Sequence, residues 1–180
     1  MRTLNKLIIL SCLWLIFSCN KEKFQPDFSN GQATALKNNQ NWKGSARGGI
    51  NNQGIGVDIV FSVFNDFGEL RQELVFSKIP LIKGDYTLFI IDDGQSSDSI
   101  SRCNFNTISH DGDVLEDRYD VDESSDERNL TVTSYDETTN ILQGTFDVML
   151  KIDTSRIKYN INNPETIHFS MGEFEVKIKD

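Results

Sequence analysis

The groups in this 180-residue chain that could do covalent or metal chemistry are three cysteines, two histidines and 27 acidic residues. A zinc site needs imidazoles or thiolates at ligand spacing, and His110 and His168 stand in neither an H-x-x-H nor an H-E-x-x-H pattern. Cys103 and His110 are the pair that a thiolate nucleophile with an imidazole base would use. In an extended strand, however, Cys103 shares its face with Phe105, the pattern of a buried core thiol. Glycoside hydrolysis needs two carboxyls flanking one bond, and their separation is a property of the folded chain that spacing does not report. No G-x-S-x-G elbow, P-loop or G-x-G-x-x-G fingerprint occurs. These residues assemble no catalytic constellation, so a non-enzymatic protein without a cofactor is expected.

The densest chemistry is acidic. Asp111 to Glu127 holds nine carboxylates against one arginine, Arg118. Carboxylate oxygens are what Ca²⁺ takes as ligands, which makes Asp111 and Asp113, on either side of Gly112, the metal candidates. The EF-hand spacing fails, because placing Gly112 sixth puts Thr107 first and Arg118 twelfth, where carboxylates belong. A hydrated acidic loop and hairpin is the expectation. Trp42 and the tyrosines could stack on sugar faces, although an aromatic at strand spacing more often fills a core.

The elements that must position these groups read as strands. Apolar and polar residues alternate in short runs separated by Gly, Asn, Asp and Pro. In the last run Phe174, Val176 and Ile178 must share one face, with Glu173, Glu175 and Lys177 on the other. Ile55 to Val63 alternates likewise, Asn65-Asp66-Phe67-Gly68 offers turn chemistry, and Leu70 to Phe76 resumes, which makes a hairpin. Gln32 to Leu36 and Trp42 to Arg47 flank Lys37-Asn38-Asn39-Gln40, a second hairpin. Tyr86 to Ile91 is apolar on both faces, as in a central, doubly covered strand. Further strands fit 100–108, 114–121, 129–136, 141–152 and 166–170, and no stretch carries a helical stripe. Gly144 and Gly172, each two residues before a Phe, read as bulge or bend positions. The fold class is all-β: an antiparallel meander of about ten strands forming a sandwich or a barrel.

Before the strands comes an address. Met1 to Lys6 carries Arg2 and Lys6, Leu7 to Phe17 is apolar, and Ser18-Cys19 follows, the layout of a secretory signal. Eleven apolar residues rise about 17 Å as a helix, short of the roughly 30 Å hydrocarbon core. Ile16-Phe17-Ser18-Cys19 resembles the lipobox of bacterial lipoproteins, which implies lipidation of Cys19 and a membrane held through its acyl chains. The rival Cys12 leaves only Leu7 to Leu10 as an apolar core. The expected organisation is a signal peptide over 1–18, a lipidated polar tether over 19–30 containing Pro26, and a single β domain over 31–180. Removing the signal leaves 16 basic against 27 acidic residues, a charge of −11, which excludes the basic footprint that nucleic-acid binding requires.

Trp42 after a polar turn, Ile79-Pro80 with Gly84-Asp85-Tyr86, the acidic stretch to Glu123, Gly144-Thr145-Phe146 and Gly172-Glu173-Phe174 together make the chain resemble a family. It is the small Bacteroidetes-type outer-membrane lipoproteins that carry a domain of unknown function. The resemblance implies an outer-membrane address, with Asn20 standing where an Asp would resemble an inner-membrane retention signal. Lys21-Glu22-Lys23 is similar in part to the export tags of surface lipoproteins. Asp98-Ser99-Ile100 is similar to the O-glycosylation sequon of such exported proteins, which implies Ser99 as acceptor in a polar loop. The function expected is a lipid-anchored binding or structural module of the cell envelope. The alternatives are a carboxylate-based glycan hydrolase, or a barrel carrying a small apolar ligand.

Overall fold

The structure, a computed structural model, describes residues 23–52, 54–91 and 99–179. Cys19 and Asp98 lie outside them. The strands are β1 (Gly31–Lys37), β2 (Gln40–Ile50), β3 (Val57–Phe64), β4 (Leu70–Ile79), β5 (Gly84–Thr87), β6 (Phe89–Ile90), β7 (Arg102–Ile108), β8 (Leu115–Val121), β9 (Arg128–Asp136), β10 (Ile141–Ile152) and β11 (Thr166–Lys179). The described residues contain no helix, and so none long and apolar enough to cross a membrane.

The choice between sandwich and barrel falls to the barrel. β1 pairs antiparallel with both β2 and β11, and the ring runs on through β3, β4, β7, β8 and β10 back to β11, eight strands in all. Where β1 ends short, β11 reaches β2 directly and pairs parallel at Gly48 and Gly49. Closure leaves the wall without a free edge along the ring.

Between β7 and β10 the wall is built in two tiers. β8 bridges one tier, pairing with residues 104–108 of β7 and with 150–152 of β10. In the other tier β6 pairs with Arg102 and Cys103, β5 pairs with β9, and β9 pairs with the first part of β10. This corrects the reading of Tyr86 to Ile91 as one central strand. The chain changes partner at the fully buried Leu88, so each half pairs on one side only. Its apolar residues on both faces come from bridging two neighbours.

Inside, Phe61, Phe76, Phe146 and Phe174 come from four different strands and touch one another, at ring centroid distances of 5.2 to 6.5 Å. Phe169, flanked by Trp42 at 5.1 Å and Phe105 at 5.2 Å, fills the next layer, and Tyr119 completes it. Each such ring contributes on the order of 1.5–3 kcal/mol by leaving water.

Gly144 and Gly172 make room for this core. Gly144 stands opposite Phe174, and Gly172 opposite Phe146, across the β10–β11 pair. A Cβ on either glycine would fall 2.5–2.6 Å from the facing ring. The register of β10 against its neighbours shifts at both places. The runs 166–170 and 173–179, read separately from the sequence, join into one 14-residue strand, β11. Met171, at φ 53°, is the kink that reverses which parity faces inward, from Ile167 and Phe169 to Phe174, Val176 and Ile178.

The stretch expected to be a free tether from 19 to 30 is anchored from Lys23 onward. The Phe24 ring lies 5.4 Å from that of Phe64 and its N–H donates to Asp66 O, and Lys43 sits over the Phe28 ring. Two aromatic residues in an otherwise polar run are the physical reason.

Candidate functional site

Strand directions gather four connections at one end of the barrel, here the upper end. They are the β1–β2 turn, the β3–β4 turn (65–69), the β7–β8 loop (109–114) and the long β10–β11 loop (153–165). Asn38 and Asn39, at φ 48° and 64°, make the first of these the tight hairpin turn that the sequence implied.

Alternation along β8 turns Asp117, Tyr119 and Val121 inward and leaves Glu116, Arg118 and Asp120 on the outer side. Asp117 is buried, and its carboxylate accepts the Tyr159 N–H at 2.7 Å, the Asn163 side-chain amide at 2.7 Å and the Asn160 N–H at 3.4 Å. Thr107 Oγ1 on β7 accepts the Asp117 N–H, and the Tyr119 hydroxyl donates to Pro164 O at 2.8 Å. Burial first, and then the Asp117 charge, pushes the Tyr119 hydroxyl up to about 12. One inward carboxylate and one phenol thus tie the 153–165 loop over the barrel mouth. With its oxygens occupied by three donors, Asp117 serves as a clamp.

On the outer side Arg118 Nε donates to Asp120 at 2.9 Å and its Nη2 donates to Ile91 O at 2.6 Å. Burial raises the Asp120 carboxyl above its ordinary value, and the hydrogen bond from Arg118, and then its charge, oppose the rise. Asp153 pairs with Arg156 at 3.3 Å, and its backbone N–H donates to Arg118 O. A groove of about 430 Å3 opens here, lined by Leu115, Arg118, Asp153, Ile157 and Tyr159 among others.

The acidic segment is therefore dispersed, because strand alternation sends neighbouring carboxylates to opposite faces. Asp111 and Asp113 remain together in the β7–β8 loop. The Ser109 hydroxyl donates to Asp111, holding its carboxyl below the ordinary value, while the hydrogen bond and charge of Asp111 raise that of Asp113. Among the described residues no group of three or more His, Cys, Asp or Glu side chains is placed to hold a metal ion.

Cys103 is fully buried among apolar side chains, and that burial pushes its thiol well above the ordinary value. His110 is exposed at the far end of β7, and the strand between them separates the two by roughly 20 Å at about 3.3 Å per residue. Nucleophile and base do not meet. His168 Nε2 lies 2.7 Å from Asp147 on the outer face of the β10–β11 pair. Trp42 is buried with its N–H donated to Gln72 at 3.0 Å, and of the four tyrosines only Tyr159 is strongly exposed. Ser99 is exposed just before β7.

Sequence reasoning missed the β10–β11 loop. Ile157, Tyr159 and Ile161 alternate with polar residues as a strand would, yet all three point to solvent. Their two-residue period was the available signal, and it carries the same information for a buried strand as for this loop.

No family model matches the chain, and neither a curated protein nor a solved structure matches it.

Proposed function

We propose that this protein is a non-enzymatic module of the cell envelope, held at the outer membrane by acyl chains on Cys19 and working through the surface at its barrel ends. The filled interior carries this reading. Phe61, Phe76, Phe146 and Phe174 meet across the lumen, where apolar cargo would need a cavity of several hundred cubic ångströms. The best-buried carboxylate among the described residues, Asp117, is engaged by three loop donors, which weighs against a hydrolase built on it. What remains for function is display: a rigid barrel presenting loops.

Metabolic labelling with a fatty-acid probe, followed by fractionation of the envelope, tests the anchor. Wild-type protein should take the label and sediment with outer membranes, and Cys19→Ser should lose both properties. An unlabelled wild type overturns the anchor. Native mass spectrometry of the purified protein tests the rest. A stoichiometric apolar molecule inside the barrel would favour carriage, and release of reducing sugar from envelope glycans would favour hydrolysis.

A further inference from the structure

We infer that the upper end of the barrel docks directly on the lipid bilayer, inserting an apolar rim made of Phe24, Phe67, Leu115, Ile157, Tyr159 and Ile161. This rests on the lipid anchor proposed above and adds the face that meets the membrane.

The residues are scattered along the chain, and the loops that carry them adjoin at this end. Phe24 packs on Phe64 and lies against Gly68, in the same turn as Phe67. That turn touches the β7–β8 loop, where Gly112 lies against Glu69 and Arg71 donates to Ser109 O and His110 O. Leu115 then follows, and it lines one groove with Ile157 and Tyr159. Ile157 is 94% exposed, Ile161 87%, Phe67 75% and Tyr159 69%. Large apolar side chains so exposed at one end of a domain mark a surface that something covers.

The chain itself says what covers it. The last described residue before the anchor is Lys23, paired with Asp66 at 2.7 Å on the β3–β4 turn, and Phe24 N–H is bonded to Asp66 O. Three residues, Asn20 to Glu22, separate Lys23 from Cys19, and the four Cα-to-Cα steps between the two span at most about 14 Å when fully extended. An acylated Cys19 therefore holds the upper end within that distance of the headgroups. The opposite end, with Ile82 and Ile100, is kept away. Apolar side chains, two of them Phe, with one Tyr whose hydroxyl can stay wet suit the boundary between headgroup and acyl chain. Asp66, Asp111 and Asp113 lie at the same end, so the contact is apolar and does not require anionic lipid.

Fluorescence quenching by brominated lipid reads the contact. After signal removal Trp42 is the sole tryptophan and is buried, so a tryptophan placed at Ile157 or at Ile82 reports its own surroundings. The lipidated full-length protein carrying Ile157→Trp or Ile82→Trp is reconstituted into zwitterionic phosphatidylcholine vesicles with and without bromine in the acyl chains. Ile157→Trp should lose most of the added emission in brominated vesicles, and Ile82→Trp should keep it. If the protein floats with the vesicles but Ile157→Trp is unquenched, docking is overturned, the anchor stands, and the rim belongs to a protein partner. If the protein neither floats nor is quenched, anchor and docking both fall. If Cys19→Ser protein carrying Ile157→Trp is quenched by added vesicles, docking stands without the anchor.

Discussion

Alanine in place of Gly172 sets two effects of opposite sign against each other. A glycine inside a strand costs about 0.5–1 kcal/mol relative to alanine, because its backbone loses more freedom on folding. On that ground Gly172→Ala should stabilise. Its new Cβ, however, would sit 2.5 Å from Cδ2 and Cε2 of Phe146 and 2.6 Å from Cζ, where carbon atoms prefer about 3.5–4.0 Å. The ring cannot swing aside, since Phe76, Phe61 and Phe174 lie at 5.2, 6.4 and 6.5 Å from its centroid. Overpacking of this kind costs about 1–3 kcal/mol, so the net loss should be about 1–2 kcal/mol. For a domain of this size that lowers Tm by roughly 2–8 °C. Gly49→Ala is the control: its nearest contact would be Lys179 O at 3.6 Å, ordinary packing, and neither glycine has a positive φ. That variant should keep or raise Tm. Phe146→Leu combined with Gly172→Ala should cost less than the two single changes summed, by more than the roughly 0.5 kcal/mol scatter of independent sites. A Gly172→Ala protein that melts as high as Gly49→Ala, or strict additivity in the cycle, would refute the reciprocal glycine–ring packing.

Other expectations are as direct. Val176→Asp puts an unpaired charge among buried side chains and should unfold the domain or lower its denaturant midpoint severely, while Lys177→Asp, on the exposed face of the same strand, should change stability by under about 0.5 kcal/mol; similar midpoints would reverse the assignment of faces. The Ser124 hydroxyl first, and then the Lys151 ammonium, holds the Asp122 carboxyl below its ordinary 3.8. Its stabilisation is present above the unfolded value and is lost as pH falls through the lower folded one, so Asp122→Asn should flatten the acid limb of a stability profile and leave the slope above pH 6 unchanged. With Asp111 and Asp113 beside each other and, among the described residues, no third His, Cys, Asp or Glu placed to complete a metal site, Ca²⁺ should raise Tm no more than Mg²⁺ at equal ionic strength; a Ca²⁺-selective rise abolished by changing both to Asn would make this loop a calcium site.

Local periodicity carried a large part of this protein. The inward set Phe174, Val176 and Ile178, the Asn38–Asn39 and Asn65–Gly68 turns, and the burial of Cys103 and Trp42 follow from a side-chain period of two and from which residues tolerate turn backbones. Those are properties of a few adjacent residues, so one sequence suffices to read them. Closure into a barrel was not legible, because it depends on β1 meeting β11 and on β11 reaching past it to β2, pairings between the two extremes of the domain. The partner change at Leu88 was hidden for the same reason. The acidic segment reads as one cluster along the chain, and only the pleat and the approach of residues 159–163 make Asp117 a clamp and leave Asp111 and Asp113 in the loop. The apolar rim is the extreme case. Phe24, Phe67, Leu115 and Ile157 have no common pattern in sequence, and they share an end only because alternating strand directions return the chain to it.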